Sequence, residues 1–122
     1  MRINADLANR GVIDTCAGQV WRRSEFAGIE ELPSHRFGTE RVRLERWSAG
    51  AATETRRHNG GQEVFVLAGD WRDGFGVYRE GMWIRNPDAS VYAASSRSGG
   101  LLLVKSGHLP EMSRASGGDN AR

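Results

Sequence analysis

The sequence predicts an all-β fold: one antiparallel barrel or jelly roll of about eight to ten short strands. Three observations carry that expectation. Apolar runs are short and are bounded by Gly, Pro, Asn and Asp, which end strands and make turns. No apolar period of 3.6 residues persists beyond two helical turns, which argues against helices. Glycine and proline also recur in two spaced frames, Gly50 to Gly69 and Gly81 to Pro87, placing turns at regular intervals.

Along the chain, residues 1–10 are polar and non-periodic and read as a flexible lead-in. Val12-Ile13 and Val20-Trp21 are early strand pieces. Phe26 to Leu32 reads as the next strand, ended by Pro33-Ser34 ahead of a Phe37-Gly38 turn. Arg41 to Trp47 alternates, with Val42 and Leu44 on one face and Arg41, Arg43 and Glu45 on the other. Ser48-Ala49-Gly50 turns the chain. Glu63 to Leu67 is a buried strand closed by Ala68-Gly69-Asp70. Trp71 pairs with Phe75 to Tyr78 in a hairpin turning at Asp73-Gly74. Met82 to Arg85 ends at Asn86-Pro87-Asp88, and Val91 to Ala94 and Leu101 to Lys105 complete the set. Residues 113–122 are small or polar with no core-forming side chains, and the tail 111–122 is expected to be disordered.

At 122 residues, 39% of them hydrophobic and 26% charged, the chain fits one globular domain. It has no apolar stretch long enough for a transmembrane helix. The first residues, Met1-Arg2-Ile3-Asn4, lack the apolar core of a secretory signal. The single cysteine, Cys16, has no partner for an internal disulfide, so a reducing cytoplasm is expected and Cys16 is a small core residue. A net charge of +2 is dispersed along the chain, and Lys105 is the only lysine among 17 basic residues. Without a basic block, nucleic-acid binding is not expected.

The two frames carry more than turns. The first is Gly50-x5-Arg56-x-His58-x3-Gln62-x6-Gly69 and the second is Gly81-x5-Pro87-x-Ala89-x2-Tyr92-x3-Ser96. Together they resemble the two motifs of the cupin superfamily, Gly-x5-His-x-His-x3-Glu-x6-Gly and Gly-x5-Pro-x-Gly-x2-His-x3-Asn. Within it, the segment from about Gly11 to Leu109 resembles the ChrR-like cupins. The resemblance runs through Val12-Ile-Asp-Thr15, Arg41 to Trp47, His58 to Gly69, Tyr78 to Pro87 and Leu101 to Lys105. It implies a cupin-type double-stranded β-helix over residues 11–110. It also implies relatives that include the zinc-binding domain of the ChrR anti-sigma factor and dihydroxyacetophenone dioxygenases.

Carried over by position, the four metal ligands of that family fall on Arg56, His58, Gln62 and Tyr92, and only His58 keeps its identity. A guanidinium has no lone pair to offer and repels a divalent cation. Gln62 supplies a neutral carbonyl, and Tyr92 would have to ionise against a reference pKa near 10. The expectation is no metal cofactor, although the relatives bind zinc or iron. Two readings of the same positions stay open. Arg56, His58, Gln62 and Tyr92 form a barrel-mouth pocket for a small anion, or Arg56 pairs with Glu54 or Glu63 and Tyr92 with Gln62 in an inert core. Arg46, Trp83 and Lys105 are further pocket candidates. Trp47 and Trp71 could line the pocket as well, although tryptophans at strand positions more often belong to the core.

Substitute ligands for a rebuilt metal site are scarce. Glu63 follows Gln62 and faces away from it if Gln62 points inward, Glu54 lies near a loop, and His35 and His108 read as exposed or backbone-paired. A binding or regulatory cupin for an anionic metabolite is therefore the leading reading, and a dioxygenase-like enzyme using a rebuilt site around His58 is the alternative. The resemblance implies a homodimer covering its edge strands. It places sigma-factor binding in a separate helical domain, so that partnership is not expected of this chain.

Overall fold

The described residues form nine strands: β1 (Arg22–Arg23), β2 (Ile29–Phe37), β3 (Glu40–Trp47), β4 (Arg56–His58), β5 (Gln62–Arg72), β6 (Val77–Arg79), β7 (Trp83–Asn86), β8 (Ser90–Tyr92) and β9 (Gly100–Ser106). The structure is a computed structural model that describes residues 20–111. The expected strand at Val12-Ile13, Cys16 and the tail beyond Glu111 lie outside those residues. No helix long and apolar enough to cross a membrane occurs among them.

All pairings are antiparallel. A seven-stranded sheet runs β1-β2-β3-β9-β5-β6 with β7 also on β5, and β4 and β8 make a two-stranded sheet. Inward residues alternate with outward ones along each strand. Val64 pairs with Val104 and Val66 with Leu102 across β5 and β9, all four at most 1% exposed. Ile29, Trp47, Trp71, Tyr92 and Ala94 complete the cluster, joining both sheets in one core. Each large apolar side chain buried this way stabilises the fold by about 1.5–3 kcal/mol.

Three local expectations are corrected. Strand β2 does not stop at Pro33-Ser34: it continues to Phe37, with a register shift between Pro33 and His35. Among the described residues, β1 pairs only as far as Glu31, and beyond it β2 has a partner on one side alone, where proline is tolerated. Gly69 does not close β5. The strand shifts register between Val66 and Ala68, takes φ +77° at Gly69, and passes from β9 to pair with β6. A Cβ at Gly69 would sit 2.0 Å from the Gly99 carbonyl oxygen, so only glycine fits. The β5–β6 turn spans residues 73–76, held by Asp73 Oδ1 accepting from the Phe75 and Gly76 amides and the Tyr78 hydroxyl.

The alternation of β3 is as expected, and the structure decides which of its two faces is inward. Arg41, Arg43, Glu45 and Trp47 face the barrel interior, and Val42 and Leu44 face out. Leu44 is still buried, on the outer face opposite Leu32 and Leu103. The polar residues of this strand therefore line a cavity instead of a solvated surface.

Candidate functional site

The barrel interior holds a cavity of about 320 Å³, at the small end of the range for ligand sites. Strands β4 and β8 bring the motif positions together: Arg56 pairs with Tyr92 and His58 with Ser90 in register. The imidazole of His58 stacks on the Tyr92 ring at 4.0 Å between centroids and 10° between planes. The Tyr92 hydroxyl donates a short hydrogen bond to Gln62 Oε1 at the start of β5. All four side chains line the cavity.

The turns that aim them depend on one unusual residue. Ala89 has φ +69°, the only left-handed non-glycine among the described residues, and it stands where the cupin motif has glycine. Its amide donates to the His58 carbonyl at 3.0 Å, tying the turn before β8 to β4. Asp88 Oδ1 accepts from the Gly60 amide at 2.7 Å and pins the β4–β5 turn to the same place. These contacts hold the left-handed backbone at Ala89 although a Cβ makes it costly.

Electrostatics differ from one motif position to the next. Burial, and then the Arg56 guanidinium, push His58 below its usual 6.5 against an opposing backbone hydrogen bond with Tyr92. His58 Nε2 is buried and has no hydrogen-bond partner among the described residues. Burial raises the Tyr92 phenol well above its usual value, so it stays protonated. Arg56 is half-exposed at the mouth, paired with Glu25 at 3.1 Å and set over the Phe26 ring. The expected partners Glu54 and Glu63 do not reach it. Glu54 is exposed and outside the cavity lining.

The cavity's deeper polar groups come from β2, β3 and β9. Arg43 Nε bonds Glu45 Oε2 at 2.8 Å, Arg43 Nη1 donates to Ser106 Oγ at 2.9 Å, and Trp47 Nε1 donates to Glu45 Oε1 at 3.0 Å. Arg41 lies 3.5 Å from Glu31. Sequence reasoning missed Arg43, Glu45 and Ser106 as site residues. The parity of Trp47 held the signal: a tryptophan assigned to the core carries every second residue before it inward.

Three candidates leave the site. Arg46 alternates with Trp47, so it points out, pairing with Glu30 at 2.6 Å and lying over Trp21. Lys105 falls between inward Val104 and Ser106 and reaches toward Glu40 at 3.8 Å. Trp83 pairs with outward Phe65, is 55% exposed and lies under Arg85. Glu63 faces outward as expected, but it binds Arg85 and His108 there. His108, expected to be exposed or bonded to backbone, is instead a nearly buried partner of Glu63 at 2.6 Å. The His35 side chain lies outside what the structure describes.

A family model for the ChrR cupin-like domain matches residues 12–110, nearly the whole of this architecture. The chain belongs to the ChrR cupin-like family. No curated protein matches this cupin in sequence. Among solved structures it is similar to an acetylacetone dioxygenase from Acinetobacter johnsonii, with TM-score 0.71 and 12% identity over 84% of this chain and 77% of that one. It is also similar to an RmlC-like cupin from Shewanella frigidimarina, with TM-score 0.66 and 15% identity over 73% and 83%. A third is the anti-sigma factor ChrR of Rhodobacter sphaeroides, solved in complex with SigE. That match has TM-score 0.62 and 19% identity, covering 70% of this chain and 47% of the other. This cupin thus spans about half of that chain, and at these identities the likeness establishes the shared fold alone.

Proposed function

We infer that this cupin binds a small anionic molecule in its barrel without a metal ion, in a binding or regulatory role. The observation that carries the reading is the charge inside the cavity. Its lining has four arginines (Arg41, Arg43, Arg56, Arg57) against three glutamates (Glu25, Glu31, Glu45), an excess of one positive charge with His58 neutral. Arg56, standing where the family's first metal ligand would be, contributes to that excess at the mouth.

The residues at the four ligand positions do not fit a divalent cation. Tyr92 and Gln62 satisfy each other, the phenol is held protonated by burial, and the guanidinium adds positive charge beside His58. Among the described residues, no group of three His, Cys, Asp or Glu side chains comes together to replace them. Arginine suits the opposite charge, because its planar fork matches a carboxylate or phosphate.

Elemental analysis and a thermal-shift panel of small carboxylates and inorganic phosphate test this reading together. The expected result is substoichiometric zinc, iron, manganese and nickel, with stabilisation by at least one anion. One equivalent of metal bound through His58 would replace it with the dioxygenase-like alternative. Sigma-factor association, a property of the ChrR complex, is separate from this site and is tested by co-purification.

A further inference from the structure

The inward face of β3 carries a polar chain that the four motif positions do not explain. Trp47 holds Glu45, Glu45 holds Arg43 by Nε, and Ser106 on β9 holds Arg43 by Nη1. Glu31 lies 3.8 Å from the same Nε. Arg43 is 7% exposed and Glu45 8%, so two charges are held inside the barrel. A buried ion pair contributes little net stability, because removing both charges from water offsets their attraction. What the arrangement does supply is orientation. The guanidinium is fixed at two of its three nitrogens, and Nη2 makes no hydrogen bond among the described residues. Beside it the cavity presents an aromatic wall of Trp47, Trp71 and Tyr92, with Trp71 set edge-on to both of the others.

We propose that Arg43 is the ligand-anchoring residue of this cavity, and that the ligand is a small planar monocarboxylate. Its carboxylate takes the open guanidinium edge and its apolar body lies on the aromatic wall. The proposal rests on the anion-binding reading above and makes it specific. One negative charge balances the single excess positive charge of the lining, whereas a dianion leaves the cavity net negative. Glu45 and Ser106 are positioning residues. They hold the fork in place before the ligand arrives, so little side-chain freedom is lost on binding. Arg56, already paired with Glu25 at the mouth, screens and steers the ligand without anchoring it.

Calorimetry with benzoate, its neutral isostere benzamide, and inorganic phosphate tests the assignment. Benzoate is expected to bind the wild type, and benzamide at least about tenfold more weakly. The double variant Arg43→Gln/Glu45→Gln removes both buried charges together and avoids stranding either. If it melts cooperatively, its benzoate affinity should fall by at least about thirtyfold. Arg43→Lys keeps the charge but not the fork and should fall between, while Arg46→Gln, on the outer face of β3, should change benzoate affinity less than about threefold. Wild-type affinity in the folded double variant overturns the proposal. If the double variant does not fold, unchanged benzoate affinity in Arg43→Lys overturns it instead. Phosphate binding lost in Arg56→Gln, with no benzoate binding, removes Arg43 as anchor and leaves the anion reading standing. Binding of neither anion defeats both.

Discussion

Restoring the family's ligands tests whether the motif positions still converge on one point. The triple variant Arg56→His, Gln62→Glu and Tyr92→His should create, with His58, a four-ligand site for zinc or iron. The distances favour it: His58 and Tyr92 already stack at 4.0 Å, Tyr92 already touches Gln62, and Arg56 faces Tyr92 across the β4–β8 pair. The substitutions destabilise the metal-free protein, Tyr92→His most, because it takes a buried aromatic ring out of the core. Breaking the Arg56–Glu25 pair at the exposed mouth removes about 0–1 kcal/mol, and losing the Tyr92–Gln62 hydrogen bond about 1 kcal/mol. Metal at 100 times its dissociation constant returns about 2.7 kcal/mol by mass action. For a domain of this size that raises the melting temperature by roughly 10–20 °C, read by scanning calorimetry with and without chelator. Each single variant should show almost no shift, because the remaining arginine charge or missing donors defeat the site, so the effects are strongly non-additive. A folded triple variant whose melting temperature ignores excess zinc and iron refutes the convergence of these four side chains.

Other expectations are simpler. Ala89→Gly should stabilise the protein by about 0.5–1 kcal/mol, measured by urea unfolding: relief of about 1–2 kcal/mol of left-handed strain is partly offset by the freedom glycine gains when unfolded. Glu45→Ala should destabilise by about 3 kcal/mol or more in the same assay, since it strands the buried Arg43 guanidinium and orphans the Trp47 N–H. His58 contributes a pH dependence with a fixed sign. Its folded pKa lies below the unfolded 6.5, so the unfolded chain takes up the proton first as pH falls. Its stability contribution is therefore complete above that value and is lost as pH drops toward the folded pKa. His58→Gln should flatten that part of the melting-temperature profile, and an unchanged slope would assign it to another group.

Much of the fold was legible in the chain because strand signals are local. Alternation, turn residues and the two glycine frames are set by residues a few positions apart, and β3, β7, β9 and the start of β5 lie within a residue of where those signals place them. The inward aim of Arg56, His58, Gln62 and Tyr92 followed from motif spacing, and Glu63 facing away followed from strand parity. The Tyr92–Gln62 contact was one of the two arrangements the sequence left open.

What the tertiary structure decided was the sense of each alternation and the path of each strand. Period-two patterning says which residues share a face, but not which face meets the barrel interior. A polar face on β3 looks like a surface in sequence and becomes a cavity wall only when β9 and β5 close around it. The same closure turns Arg46, Trp83 and Lys105 outward, because each shares its parity with residues already on the outer face. Strand ends escaped for a related reason. Pro33 and Gly69 interrupt strands by local propensity, yet an edge unpaired among the described residues and a positive-φ kink let β2 and β5 run through them. The sequence alone carried the fold family, since the frames that mark it are written in residue type and spacing. Which charged groups face one another across the barrel depends on pairings between strands far apart in the chain, and only the folded molecule fixes those.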